Sequence, residues 1–353
     1  MGSSELSPRS RAVLTTLVRE YIETGEPVAS QVLARESGLG VSSATIRNIL
    51  AHLEEAGYVS QPHTSAGRVP TDRAYRAFVD LLLESRRPAR PSINVEHQLR
   101  QQAERSPLVD GVLVSATHLV SRAVRHVGFA LADSQSAVLQ RIEFVPVGGS
   151  RVLVVVVSRG NQVMQKLVDA GEDVRPDDLV QAANYLNSEF AGLYLLQVRE
   201  AVLARLQEER TLYDELRARA LRLACSTLEQ LPNQVFHVEG AASLLGHEEG
   251  VSMATLRALF EMMEEKARMV RLLSRYIDGP GLTVVIGAEH TSPDLRSFSL
   301  VASTVVDDGA IRTVGVIGPT RMRYSRAITL VDGTTQAMAR LLRDSHHPDE
   351  RVS

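Results

Sequence analysis

The residues with the clearest chemistry lie between positions 43 and 48. Ser43, Ala44, Thr45, Arg47 and Asn48 sit on a segment whose Ile46, Ile49, Leu50 and Leu53 recur at helical spacing. With Ile46, Leu50 and Leu53 turned inward, Ala44, Arg47, Asn48 and Ala51 share the opposite side of the helix, flanked by Ser43 and Thr45. Small residues let such a helix approach a DNA major groove, Arg can bond a guanine edge bidentately, Asn an adenine edge, and hydroxyls can take phosphates. On the helix alone, a solvated face with no role accounts for the pattern equally well. A second cluster follows at Pro62-His63-Thr64-Ser65-Ala66-Gly67, between short extended pieces at Tyr58–Gln61 and Arg68–Pro70. As a hairpin tip, His63, Thr64, Ser65 and Arg68 would bring one cation and several donors to a minor groove or a phosphate backbone. A surface turn without function would have a similar composition. Arg73 and Arg76 are further phosphate candidates on the next helix, although Asp72 can pair with one of them.

The elements that position these residues are legible. Ser7-Pro8 starts a helix over about 8–24, which Gly25 ends. A corner at Glu26-Pro27 leads to a short segment with Val32 and Leu33 inward, then to the Gly38-Leu39-Gly40 turn. Ser42 and Ser43 offer an N-cap to the third helix, which Gly57 stops. Helix–turn–helix followed by a hairpin is the winged arrangement. Thr71 caps a fourth helix with Tyr75, Phe78, Val79, Leu82 and Leu83 inward, and Arg86-Arg87-Pro88-Ala89-Arg90-Pro91 reads as a linker. A first domain over 1–88 is expected.

Beyond it the pattern predicts helices at about 93–105 and 107–123 and strands at Val127–Ala132, Val138–Val147 and Arg151–Ser158. It becomes largely helical from about 170 to 277, and strands return at Leu282–Ala288, Ser297–Val306 and Ile311–Ile317. Tight turns favour antiparallel pairing. The fold class expected is α+β and multidomain, with a sheet domain in two segments, 89–170 and 278–345, interrupted by a mainly helical insertion at 171–277. Its amphipathic stretches, around Leu206, Tyr213, Leu216 and Leu223 and around Met262, Met263 and Met269, either fill the core or form a subunit interface.

The formal net charge of −3 argues against indiscriminate coating of nucleic acid, and the first ninety residues hold 11 Arg against 10 Asp plus Glu. Any DNA contact must come from placement. No apolar run approaches a membrane span, no signal-peptide core can be drawn through the charges of the first 25 residues, and Cys225 is the single cysteine. A cytoplasmic protein without disulfides is expected. No enzyme signature survives: Gly38-x-Gly40-x-x-Ser43 lacks a preceding strand and a third glycine, and Val251 stands where a zinc-protease motif beginning at His247 needs its second histidine. His346-His347 reads as part of a polar tail. No catalytic residue, cofactor or metal site is expected.

Four blocks carry a resemblance: Thr24-Gly25-Glu26-Pro27-Val28, Ser43-Ala44-Thr45-Ile46-Arg47-Asn48, Leu53-Glu54-Glu55, and Pro62 through Thr71. Together with Tyr75-Arg76 and the C-terminal Gly315-Val316-Ile317-Gly318-Pro319, Met322 and Tyr324, they resemble the signature of the HrcA family of heat-inducible transcription repressors. The resemblance implies a winged-helix domain, a GAF-like antiparallel-sheet domain and an inserted dimerisation domain. It further implies repression of chaperone and chaperonin genes through an inverted-repeat operator (CIRCE) in double-stranded DNA, loss of activity on heat stress, and dependence on the chaperonin. A twofold operator calls for a homodimer.

Overall fold

The computed structural model describes residues 6–63, 66–86, 93–105, 109–133, 137–158, 162–171, 175–208, 215–230, 234–240, 253, 257, 260–261, 263, 265–277, 279–307 and 310–346. The N-terminal part is built as its sequence predicts. Helix α1 (Pro8–Thr24) is capped by the Ser7 hydroxyl, which accepts from the Ser10 N–H, and closes on Gly25 in the left-handed region. Helix α2 (Ser30–Glu36) and helix α3 (Ser43–Glu55) follow, then strands β1 (Val59–Ser60) and β2 (Val69–Pro70) and helix α4 (Asp72–Glu84). Val13, Leu14, Leu17, Leu33, Ile46, Leu50, Leu53, Tyr58 and Phe78 form their common core. Burying each of these large side chains stabilises the bundle by roughly 1.5–3 kcal/mol.

The remainder contains two sheets. A five-stranded antiparallel sheet runs in the order β7 (Gln234–Glu239), β3 (Val127–Asp133), β10 (Ala310–Pro319), β9 (Phe298–Asp307), β8 (Gly281–Ile286). Alternation along its strands feeds two cores. Ala130, Ala132, Val301, Val314 and Val316 join helices α5 (Ile93–Arg105), α6 (Val109–Val124) and α11 (Tyr324–His346) in a core continuous with that of the winged domain. Phe129, Leu131, Leu300, Ala302 and Ile317 face the other way, against helix α10 (Lys266–Leu273). Close packing of neighbouring strands explains Gly315, where a Cβ would meet the Phe129 ring at 2.3 Å.

The second sheet has three strands, β4 (Leu139–Gly148), β5 (Arg151–Ser158) and β6 (Gln162–Asp169). Its inner face, with Ile142, Phe144, Val152, Val154, Val156 and Met164, packs on helices α7 (Pro176–Phe190), α8 (Leu195–Glu208) and α9 (Glu215–Gln230). The Asn187 amide fixes the register of helix on sheet: its Oδ1 accepts from the Ile142 N–H at 2.7 Å and its Nδ2 donates to the Ile142 carbonyl at 3.0 Å.

This partition differs from the expected boundaries. The strands expected at 138–147 and 151–158 do not join the larger sheet, because their apolar faces are buried by α7–α9, so the interruption of that sheet falls between Asp133 and Gln234 rather than at 171–277. β6 and β7 were not anticipated, nor was α11, which carries His346 in a helix rather than a tail. Leu223 fills the smaller sheet's core, and Met263 and Met269 the core beneath α10; Tyr213 and Met262 lie outside the described residues. Cys225 packs half-buried against the α7–α9 core. Among the described residues no helix is long and apolar enough to cross a membrane.

Candidate nucleic-acid interface

Helix α3 presents the strip that its periodicity predicts. Ile46, Leu50 and Leu53 are buried, while Ala44, Arg47, Asn48 and Ala51 are exposed along the opposite side, with Ser43 and Thr45 half-buried at its start. The N-cap is Ser42, whose Oγ accepts from the Thr45 N–H at 3.2 Å and shares a hydrogen bond with the Thr45 hydroxyl at 3.1 Å. Thr45 is thereby tied into the cap, and Ser43 remains at the helix's open end. The Arg47 Nε makes a long 3.4 Å contact with the Ser30 hydroxyl at the start of α2, which leans the guanidinium toward the second helix without burying it.

The hairpin pairs Val59 with Pro70 and Ser60 with Val69. Its return arm is also held from the other side: the Val28 and Arg68 backbones exchange hydrogen bonds at 2.9 and 3.0 Å. That approach requires Gly67, where a Cβ would lie 2.4 Å from the Val28 carbonyl oxygen. At the tip the Ala66 N–H donates to the His63 carbonyl, and the Gln61 amide donates to the Ala66 carbonyl at 3.0 Å. His63 is exposed; Thr64 and Ser65 lie outside the described residues.

The other arginines have partners inside the protein. Arg68 donates from Nε and Nη2 to Glu54 Oε2 at 3.0 and 2.9 Å, bracing the wing against the last turn of α3. Arg73 lies over the Tyr58 ring, 4.6 Å from its centroid, and donates to the Ala56 carbonyl at 2.7 Å. Arg76 turns away from α3 altogether: it binds Glu289 bidentately, with Nε to Oε1 at 2.6 Å, and donates to the Val284 carbonyl, so it joins α4 to the five-stranded sheet. Asp72 does the same through the Ala288 N–H at 2.8 Å rather than pairing with an arginine. A phosphate contact by Arg68 or Arg76 would therefore have to compete with an internal carboxylate. Ser30 and Glu54 are the positioning residues that sequence reasoning missed, and Gly67, read there as part of the hairpin tip, also serves the approach to Val28. Of these only Gly67 had a local signal, a glycine entering a strand.

What remains for a groove is a compact strip of small and hydrogen-bonding side chains on α3 beside a braced hairpin with His63 at its exposed end. Among the described residues, no cluster of three or more His, Cys, Asp or Glu side chains is arranged to hold a metal.

Residues 5–81 match the family model described as the winged helix-turn-helix transcription repressor, HrcA DNA-binding, and residues 110–328 match that of the HrcA protein C-terminal domain. The heat-inducible transcription repressor HrcA of Geobacter sulfurreducens is 38% identical over 341 residues, covering 96% of this chain and 99% of its own. That of Xanthomonas campestris pv. campestris is 37% identical over 338 residues, covering 95% and 96%. A crystal structure of a hypothetical protein is similar in fold, with a TM-score of 0.64 at 24% identity over 97% of this chain and 100% of the other.

Proposed function

This chain belongs to the HrcA family of heat-inducible transcription repressors, a family of regulators and not of enzymes, and from that premise we propose that it represses chaperone and chaperonin genes as a homodimer on an inverted-repeat CIRCE-type operator. The observation that carries the DNA part is the exposed Ala44–Arg47–Asn48–Ala51 strip on a capped α3, with the hairpin tied alongside. In this reading Arg47 and Asn48 meet base edges, Ser43, Ala44 and Thr45 allow close approach and phosphate contact at the helix start, and His63 with Thr64 and Ser65 meets the backbone beside it. Arg68 and Arg73 act through the wing they hold, and Arg76 through domain docking. The site of action is the cytoplasm.

The dimer reading rests on the outer face of the three-stranded sheet. Across the strands, Val145, Leu153 and Leu167 form one row, Arg141, Val157 and Val163 another, and Glu143, Val155 and Gln165 the row between them. Val145, Val163 and Leu167 are exposed, and Leu153, Val155 and Val157 half-buried. Six exposed or half-buried valines and leucines beside the Arg141–Glu143 ion pair give this face the mixed composition of a subunit interface. The inserted unit is thus the dimerisation module, and the five-stranded sheet with its helices is the GAF-like domain.

Heat would act where the domains meet, with the freed, aggregation-prone chain restored by spare chaperonin. Electrophoretic binding to a labelled inverted repeat, against a scrambled repeat, tests the proposal. Arg47→Ala should cost ~1–3 kcal/mol on the operator and relax base preference. Unchanged operator affinity in a folded Arg47→Ala protein would remove α3 as the reader, and equal binding to both repeats would remove the operator.

A further inference from the structure

A cleft of about 550 Å³ opens between the end of α1 and the sheet domain, and its wall is crowded with arginine. Arg122 and Arg125 come from the α6–β3 corner, and Arg321, Arg323 and Arg326 from the β10–α11 corner, opposed by Glu23 as the one acidic residue of the lining. Arg122, Arg125, Arg323 and Arg326 are exposed, and within the described residues none of the four makes an ion pair or a side-chain hydrogen bond. This is the reverse of Arg68 and Arg76, each of which has a carboxylate.

Arg125 is also held at φ 61°, the one non-glycine among the described residues in the left-handed region. Its N–H closes α6 on the Ser121 carbonyl at 2.8 Å, a position that glycine fills freely and an L side chain fills at a cost. Backbone outliers of this kind cluster at functional sites, which draws attention to the Arg125 side chain. The cationic cleft adjoins a second one, of about 640 Å³, which shares Ile22, Glu23, Ala123, Arg323 and Arg326 with it and is lined by Phe78, Leu82 and Leu330. Neither includes the α3 strip or the wing.

We propose that the paired clefts bind a small ligand bearing two or more phosphates on a less polar body, the class of the nucleoside di- and triphosphates. Several guanidiniums lining one concavity match the non-bridging oxygens of linked phosphates, whereas a single carboxylate or phosphate would leave their charge uncompensated. The volumes fall in the small-molecule range, whereas a DNA duplex is too wide to enter and could touch only the rim. Because Ile22 and Glu23 belong to the winged domain and the arginines to the other, an occupied cleft would fasten the two together.

The test is calorimetric titration of the full chain with ATP, AMP and tripolyphosphate at low salt, on the unaltered protein and on Arg125→Gly and Arg326→Ala. One ATP per chain is expected, bound more tightly than either AMP or tripolyphosphate, with affinity falling about tenfold in each variant. Arg125→Gly should unfold at no lower temperature than the parent, which separates lost binding from lost fold. Absence of saturable ATP binding at about 1 mM, equal binding by parent and variants, or tripolyphosphate matching ATP would each overturn the proposal. Variants that lose only affinity for a scrambled duplex would do so as well, assigning the arginines to the DNA backbone.

Discussion

Arg76 and Glu289 are 213 residues apart in sequence and bind each other side-on, guanidinium Nε and Nη2 to the two carboxylate oxygens, across the seam between α4 and the five-stranded sheet. Around them the seam is polar and specific. Asp72 accepts from the Ala288 N–H, Glu289 also accepts from the Ile286 N–H at 2.8 Å, and Arg86 at the end of α4 pairs with Asp332 of α11. The side chains of Arg76 and Glu289 are 27% and 38% exposed, so solvent screening limits their pair to roughly 1 kcal/mol. Glu289→Gln should therefore leave each domain folded while lowering the temperature at which operator binding fails. A double-mutant cycle with Arg76→Gln, read by thermal unfolding and operator binding, checks this, and additive effects would show that the pair does not couple the domains.

The pairing of Arg68 with Glu54 makes a different prediction about salt. If Arg68 braces the wing, Arg68→Ala lowers stability and leaves the salt dependence of DNA binding unchanged. Glu54→Gln, which releases the guanidinium, should raise affinity for unrelated DNA and steepen the salt slope by up to about one. A slope that falls by one in Arg68→Ala would restore the residue as a direct phosphate contact.

The winged domain was legible because its signals are local. Caps at Ser7 and Ser42, stops at Gly25 and Gly57, and the inward run Ile46, Leu50, Leu53 fix the elements without reference to distant residues. Partners were not legible: nothing near Arg76 in sequence announces Glu289, and nothing near Arg68 announces Glu54. Sheet membership failed for a similar reason. β3 and β5 are both nearly continuous apolar runs in sequence, and only the helices that bury them, α6, α10 and α11 for one and α7–α9 for the other, decide which sheet each joins. α11 escaped notice because Thr329, Gly333, Thr334 and Thr335 are poor helix formers, and its helicity comes from tertiary burial of Tyr324, Ala327, Ile328, Val331 and Met338.

His290 lies at the same seam, buried, with its ring edge-on to Tyr276 at 5.3 Å. Burial pushes its pKa down to about 4, against the opposing pull of Glu289 and Asp72. An unfolded histidine titrates near 6.5, so the unfolded chain takes up a proton first as pH falls. The contribution is fully present above about pH 6.5 and is lost toward pH 4. The unfolding free energy should decline across that window, and His290→Gln should make the decline shallower by about one proton, whatever it does to absolute stability. Equal slopes in denaturant titrations of the two proteins across the window would exclude His290 as the titrating group.

The outer face of the three-stranded sheet gives the sharpest test of assembly. Val155 stands at its centre, paired with Glu143 on β4 and Gln165 on β6, with Val145, Leu153 and Leu167 as the row on one side and Arg141, Val157 and Val163 on the other. The inner face already has its core, so the outer valines and leucines are not needed to hold α7–α9 in place. A charge at Val155 can reach solvent in a monomer but would be taken out of water in a dimer packed on this face, and even with Glu143 opposite it the desolvation costs several kcal/mol. Val155→Lys should therefore yield a folded monomer with an unchanged circular dichroism spectrum. Its binding to the full inverted repeat should fall to that of a half-site, because the second winged helix is no longer delivered with the first. Light scattering of the variant at micromolar concentration, alongside titration of whole and half operators, measures both effects. A Val155→Lys protein that remains dimeric and keeps its preference for the whole repeat would move the subunit contact off this sheet.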